Sequence, residues 1–511
     1  MFTQDEKTNS LYEKAIKKSD SRDISTEYTL PDYLPDITRL LRVSAKAEHP
    51  EKYCSAESVE YDGKVIYNIL YATSEGEIRC AVFDADYTGA VNAQEINDFS
   101  VVDVSVSTES VNCRLSSPRK LTVKCRLFAN ISICNAKNTE PAISGKTSPD
   151  AEKDLQYRKR LLEFCREIKA EEKNTPISED IETDPGMPQI ARIVFLNLTP
   201  AAFDVRTSEG KINYNGALTA EVLYEGENGE YVSLSREVPL SGTLEADGVT
   251  EDSVAFCDAE ATNVTYRPQT GELGETKTIE LDFDYSVYFR VFRKDLCEIT
   301  TDIYSLSYEN SNEKETLRYL TLDAGKVFNF SFNESTDFEE KEFSRVVCTS
   351  AQATVGSVEK SGAKTAVGGN VSFSVILGGE NGAFIGKTFN FPFKAETDAG
   401  RYAELFCYIA KACTGGVGAR IVGEKIYFDT EITVSLALFG EKDEEALRSC
   451  TIFTDHPIEA LPSSQIVLYY PMRGEDLWSV AKKYNTTVEK LSALNGGAKE
   501  PLGGGVLIIP N

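Results

Sequence analysis

Few residues in this 511-residue chain have the types and spacing that chemistry requires. The segment Gly382-Ala383-Phe384-Ile385-Gly386-Lys387-Thr388 resembles a phosphate-binding loop, whose backbone N–H groups and lysine cradle a polyphosphate, but it is one residue short. Gly382 also aligns with glycines of two earlier turn segments, so a β-turn is expected. Gly415-Gly416-Val417-Gly418 lacks a following Lys-Ser/Thr and reads as a loop. A zinc site or a Cys–His dyad needs clustered ligands, yet the two histidines, His49 and His456, are separated by most of the chain. The twelve cysteines form no C-x-x-C pair and read as reduced, buried thiols on strands. Neighbouring carboxylates such as Asp204 and Glu209, or Glu339 and Glu340, are the residue types of a glycosidase couple, but 81 acidic residues make such neighbours commonplace. The expectation is a non-enzymatic chain with no catalytic residues, no metal and no cofactor.

Recognition has a better candidate in the last residues. Gly474, Glu475, Asp476, Leu477 and Trp478 lead into one short amphipathic segment, and Asn495, Gly496 and Gly497 follow another. The elements that must position them read strand, helix, helix, strand. Ile466, Leu468 and Tyr470 alternate; Leu477, Val480, Ala481 and Tyr484 mark one helix face, and Val488, Leu491 and Leu494 a second; Val506 to Ile509 closes as a strand. Asp476 and Thr487 stand where N-caps belong, each contributing about 1 kcal/mol. Trp478 is either an exposed anchor for a partner or packed on the edge of this module.

The rest of the chain repeats itself at a spacing of 153 residues. Gly63, Gly216 and Gly369 keep that interval, as do Gly76, Gly229 and Gly382, and Arg39, Arg192 and Arg345. Each copy is large enough to bury its own core, so the period indicates triplicated domains. Long alternating runs, such as Leu121-x-Val123-x-Cys125-x-Leu127, predict strands with one face on a core. Asn228-Gly229 and Asn381-Gly382 predict hairpin turns. The expected fold is mainly β: three repeated antiparallel β-sandwich or barrel-like modules, followed by a small α+β (βααβ) domain. A helix is expected between the first two copies, with Ser148 and Pro149 at its start and Leu161, Phe164, Cys165 and Ile168 at helical spacing up to about Lys173. The polar stretches 309–316 and 441–449 read as loops or short helices at junctions.

Charge narrows the partners. With 54 basic and 81 acidic residues the net charge is −27, and the acidity sits in the repeats. Such a surface repels phosphate backbones and anionic lipid, which argues against nucleic acid. No stretch approaches the roughly 18 apolar residues of a membrane span, and the N-terminus lacks a secretory apolar run, so a cytosolic chain is expected.

The run Tyr470-x-x-x-Gly474-Glu475-Asp476-Leu477-Trp478-x-Val480-Ala481-x-x-Tyr484, with Leu491, Asn495 and the ending Leu507-Ile508-Ile509-Pro510, resembles a LysM domain. That resemblance implies a groove for N-acetylglucosamine glycans lined by Gly474, Glu475, Asp476 and Leu477 and by Asn495, Gly496 and Gly497, with Asp476 in place of the usual hydroxyl residue. Leu30-Pro31-Asp32-Tyr33-Leu34-Pro35-Asp36-Ile37, echoed by Met187-Pro188-Gln189-Ile190, resembles the SPOCS family of sporulation proteins. Repeats of that kind followed by one LysM domain are similar to the SipL-like spore coat morphogenetic proteins. The resemblance implies an adaptor at the forespore surface, in the mother-cell cytosol, whose LysM domain docks a stage IV sporulation protein A-like coat ATPase. Other coat proteins are further candidate partners, and the alternative is a reader of peptidoglycan glycan in wall or cortex. The expected division is an N-terminal segment 1–25, repeat 26–140, helical spacer 141–176, repeat 177–308, junction 309–335, repeat 336–445, linker 446–463 and LysM domain 464–511.

Overall fold

A computed structural model describes residues 7–8, 10–13, 16–93, 96, 100–145, 154–272, 274–361, 364–380, 382–398, 400, 407–459, 467–472, 474–497 and 505–510. Ser148, Pro149, Asn381 and Ile466 lie outside these residues. The first described strands are β1 (Lys7–Thr8) and β2 (Ser10–Tyr12). The first copy then runs β3 (Ile16–Thr29), β4 (Arg39–Ala47), β5 (Glu51–Cys54), β6 (Ser58–Ala72), β7 (Ile78–Asn92), β8 (Val101–Ser117) and β9 (Lys120–Cys134). Two short strands follow, β10 (Ala136–Asn138) and β11 (Ala142–Ser144). The second copy comprises β12 (Leu155–Glu182), β13 (Ile190–Pro200), β14 (Asp204–Ser208), β15 (Lys211–Gly226), β16 (Tyr231–Glu245), β17 (Val254–Thr270) and β18 (Thr276–Ser305). The third comprises β19 (Tyr308–Asp337), β20 (Phe343–Ser361), β21 (Lys364–Gly379), β22 (Phe384–Thr397), β23 (Cys407–Val422) and β24 (Lys425–Pro457).

All three copies share one topology. In the first sheet of each, β6, β15 or β21 lies between β4–β5, β13–β14 or β20 on one side and β7, β16 or β22 on the other. In the second, β9, β18 or β24 lies between the copy's first strand and β8, β17 or β23. The two sheets close on a separate core in each copy, where the alternating residues Leu121 to Ile133, Ile279 to Val291 and Ile426 to Leu438 point inward. The fold is therefore mainly β, with antiparallel two-sheet modules as expected.

The repeated glycines have identifiable tasks. Gly76, Gly229 and Gly382 sit at φ +80°, +78° and +75°, the left-handed conformation that the hairpin turns require. At Gly63, Gly216 and Gly369 a Cβ would come within 2.8 Å of the ring of Tyr87, Phe203 or Phe393, so each leaves room for an aromatic ring against the strand.

The modules close into a ring. Strand β4 packs on β22, β13 on β7 and β20 on β16, so each copy offers the same two edges and the third contact returns to the first module. The register of the first sheet slips between Leu40 and Arg42, between Ile193 and Phe195, and between Val346 and Cys348. The extra residue in each bulge, Leu41, Val194 or Val347, enters a shared junction with Leu70, Leu223 and Ile376 and with Ile78, Tyr231 and Phe384. Each trio is one repeat position seen three times. Tyr231 also accepts a hydrogen bond from the Ile78 N–H at 2.8 Å, tying the second module to the first.

Beyond the ring, the longest strands run on into a second layer. The ends of β12 and β18 pair over their full length, as do those of β19 and β24, while β1 joins β18 and β11 joins β24 in parallel. This overturns the helix expected up to Lys173: Leu155–Glu182 is one strand. Phe164 packs with Leu11, Cys297 and Leu317, whereas its neighbour Cys165 packs on the other face with Phe292 and Phe439. Burial on both faces removes the alternation and leaves spacing that mimics a helix. The stretches 309–316 and 441–449 are likewise strands, not loops, paired Glu309↔Phe453 through Thr316↔Glu445. Their polar pattern reflects exposed faces carrying ion pairs such as Lys314–Glu445 at 3.0 Å. Residues 16–25 of the expected N-terminal segment also belong to the first module, because Ile16–Thr29 pairs with β9, whereas Lys7–Thr8 joins β18.

The seam between the first two modules is polar. The His49 N–H donates to Glu260 at 2.9 Å, and its ring stacks on Tyr288 at 3.7 Å. Lys169 and Arg290 bracket Asp103. Burial lowers the His49 pKa from 6.5, opposed by Glu260, Asp258 and Asp103 and reinforced by Lys52. The folded state thus favours neutral His49, so its contribution to stability is complete above pH 6.5 and declines as pH falls through 6.5 towards the lower folded value. The thermal midpoint is expected to drop over that interval, and His49→Gln to flatten the drop; an unchanged profile would contradict it. Leu223→Ala, at a fully buried junction position, is expected to cost about 2–5 kcal/mol in denaturant unfolding, against at most about 0.5 for Val82→Ala on the exposed face.

Candidate binding site on the C-terminal module

The last module is β25 (Val467–Tyr469), α1 (Leu477–Lys483), α2 (Val488–Leu494) and β26 (Leu507–Ile509), the expected βααβ order. Leu477, Val480, Ala481, Leu491, Leu507 and Ile509 form its core. Asp476 caps α1 by accepting from the Ser479 N–H at 2.8 Å, and Thr487 caps α2 by accepting from Lys490 at 3.1 Å. The two loops named from sequence are built by backbone geometry. Gly474, Gly496 and Gly497 all have positive φ. The Glu475 carboxylate accepts from Tyr469 Oη at 2.9 Å and from the Met472 N–H at 2.9 Å, which straps the first loop down. Asn495 donates to Leu491 and Ile508 carbonyls at 2.8 Å each and accepts from the Ile508 N–H at 2.7 Å. Its side chain thus clips α2 to β26.

Leu477 is buried in the core of the module and does not line its surface. Trp478 is half-buried against the second module. Its indole donates to Asp302 Oδ2 at 2.8 Å, and its ring meets Tyr304 edge-on with centroids 4.8 Å apart. Lys482 bonds both oxygens of Asp302, at 2.7 and 2.8 Å, and Tyr304 Oη donates to the Thr486 carbonyl at 2.6 Å. Arg158 pairs with the capping carboxylate of Asp476 at 2.8 Å. Burial alone would raise the Asp302 pKa, but the hydrogen bonds from Lys482 and Trp478 outweigh it and hold the carboxyl below its ordinary range. Asp476 is depressed in the same way, by Ser479 and Arg158 against burial.

Sequence reasoning missed Arg158, Asp302 and Tyr304 because no local pattern links them to residues more than 170 positions away. It also missed an apolar face. Leu468 lies opposite Ile508 in the sheet, and Leu468, Tyr470, Met472, Val506 and Ile508 are all exposed.

The other chemical candidates resolve into structure. Gly382 forms a hairpin turn, a Cβ on Gly386 would clash with the Leu41 carbonyl, and Lys387 pairs with Glu340. Gly415 to Gly418 is not a loop: it is a bulge within β23. The eleven cysteines whose side chains are described are free thiols. Among the described residues no helix is long and apolar enough to cross a membrane, and no trio of His, Cys, Asp or Glu is placed to hold a metal.

Compared with known families, residues 36–116 and 189–269 match the SipL SPOCS domain, and residues 473–501 match the LysM domain. The chain carries SipL-type SPOCS domains and a LysM domain. The third copy lies outside the matched residues but has the SPOCS modules' topology. No curated protein and no solved structure matches. SPOCS and LysM are non-catalytic domain families, and their combination is that of a sporulation coat-associated, LysM-containing protein.

Asn495→Ala removes three hydrogen bonds, at a cost of about 1–3 kcal/mol within the LysM domain. Amide exchange at Leu507–Ile509 is expected to accelerate while the SPOCS modules stay protected; unchanged exchange there would show that Asn495 is no clip.

Proposed function

We propose that this protein is a non-enzymatic adaptor in spore coat assembly, docking through its LysM domain to a stage IV sporulation protein A-like coat ATPase at the forespore surface, in the mother-cell cytosol. The observation that carries this reading is domain order: SPOCS repeats followed by a single LysM domain. Rigid closure of the three repeats into one ring suits a platform, and the acidic surface favours basic protein partners over nucleic acid. Other coat proteins are candidates for that surface. The exposed apolar face at Leu468, Tyr470 and Ile508 supports a protein partner for the LysM domain.

The second reading, a peptidoglycan or N-acetylglucosamine reader, rests on the LysM match. Its groove would use Gly474, Glu475, Asp476 and Leu477 opposite Asn495, Gly496 and Gly497. Against it, Asp476 replaces the hydroxyl expected there, and its carboxylate is committed to Ser479 and Arg158.

Retention assays with the full chain and with a chain ending at residue 459 separate the two. The full chain is expected to retain the ATPase and the shortened one to lose it, with N-acetylglucosamine oligomers neither binding nor competing. Saccharide binding without ATPase retention would establish the glycan reader instead.

A further inference from the structure

The contact between the LysM domain and the second module is chemically specific. Asp302 and Tyr304 are two residues apart on β18, so their side chains leave the same face of an extended strand. Against them α1 presents an indole N–H and an ammonium to the carboxylate, and the turn after it presents the Thr486 carbonyl to the phenol. Tyr304 is buried with the LysM core, and an aromatic anchor beside charge-assisted hydrogen bonds is the composition of an interface hot spot. The ion pairs are also partly solvated: the side chains of Lys482 and Arg158 are 39% and 46% exposed. Such pairs exchange with water and hold weakly, so the contact is suited to opening.

We propose that Trp478, Lys482 and the Thr486 carbonyl form a receptor for an extended Asp-x-Tyr strand, closed in cis by Asp302 and Tyr304, and that a partner strand of the same acidic–aromatic chemistry takes their place in trans. Because the cis strand is tethered, its effective concentration is in the millimolar range, and a short competing strand cannot displace it unaided. A productive partner therefore brings a further contact, for which the exposed sheet face at Leu468 and Ile508 is continuous with the module. The receptor stands apart from the coat assignment, since its test needs no coat protein.

Trp478 is the sole tryptophan of the chain, so its emission reports the latch directly. In the full chain, Asp302→Asn is expected to red-shift emission and to raise acrylamide quenching several-fold. The double variant Arg158→Ala with Asp302→Ala should do so further; Asp302 also accepts from Asn312 at 2.7 Å, so a small loss of stability in the outer layer accompanies both variants while the three module cores stay folded. A labelled peptide of residues 299–306 is expected to bind the unlatched variants at least tenfold more tightly than the wild type, and its Asp→Asn form not to bind. Quenching equal to wild type in both variants, or an unlatched chain that ignores the peptide, would overturn the proposal.

Discussion

The architecture depends on one junction, where a bulge in each of three homologous strands drives an extra apolar side chain into a common centre. Leu41, Val194 and Val347 are those residues. A two-sheet module buries its own core but leaves the outer face of its first sheet to be covered. Here the next copy covers it, with the same edges used each time, and closure leaves no unpaired copy. The residues that join them, Leu70, Leu223 and Ile376 and Ile78, Tyr231 and Phe384, come from all three copies, so the junction is a core assembled from three parts of one chain.

Symmetry is broken where it helps to set the order of the copies. At one repeat position the copies carry Arg42, Phe195 and Cys348. The Arg42 guanidinium lies 4.7 Å over the Phe195 ring and donates to Ser350 at 3.0 Å. A partly buried charge is stabilised by such partners. Burial pushes the Glu221 carboxyl up, and the nearby Arg42 partly offsets it. The three copies thus carry different side chains with different contacts at one repeat position.

The second layer turns the ring into a mount. Strands β18 and β24 serve a module core at one end and the shared outer layer at the other. The LysM domain rests on the far end of β18, through Asp302 and Tyr304. The LysM domain is thereby connected, by one continuous strand, to the core of the second SPOCS module. In the latched state Tyr304 adds its ring to the core of the small domain, which is too small for much stability of its own.

The repeat interval, the alternation of long strands and the caps at Asp476 and Thr487 are local or periodic properties, and all were legible in the chain because each depends only on nearby residues. The turns at Gly76, Gly229 and Gly382 were legible for the same reason. What failed to be legible was burial on two faces: Phe164 and Cys165 look helical because neither face of their strand is left to water. The polar strands at 309–316 and 441–449 were hidden by the converse effect, since their exposed faces carry the charges of a loop. The sequence by itself determined three SPOCS-like modules and a LysM domain. Only tertiary structure decided that the copies form a ring and that Trp478 faces Asp302, because contacts across hundreds of residues leave no periodic trace in a single chain.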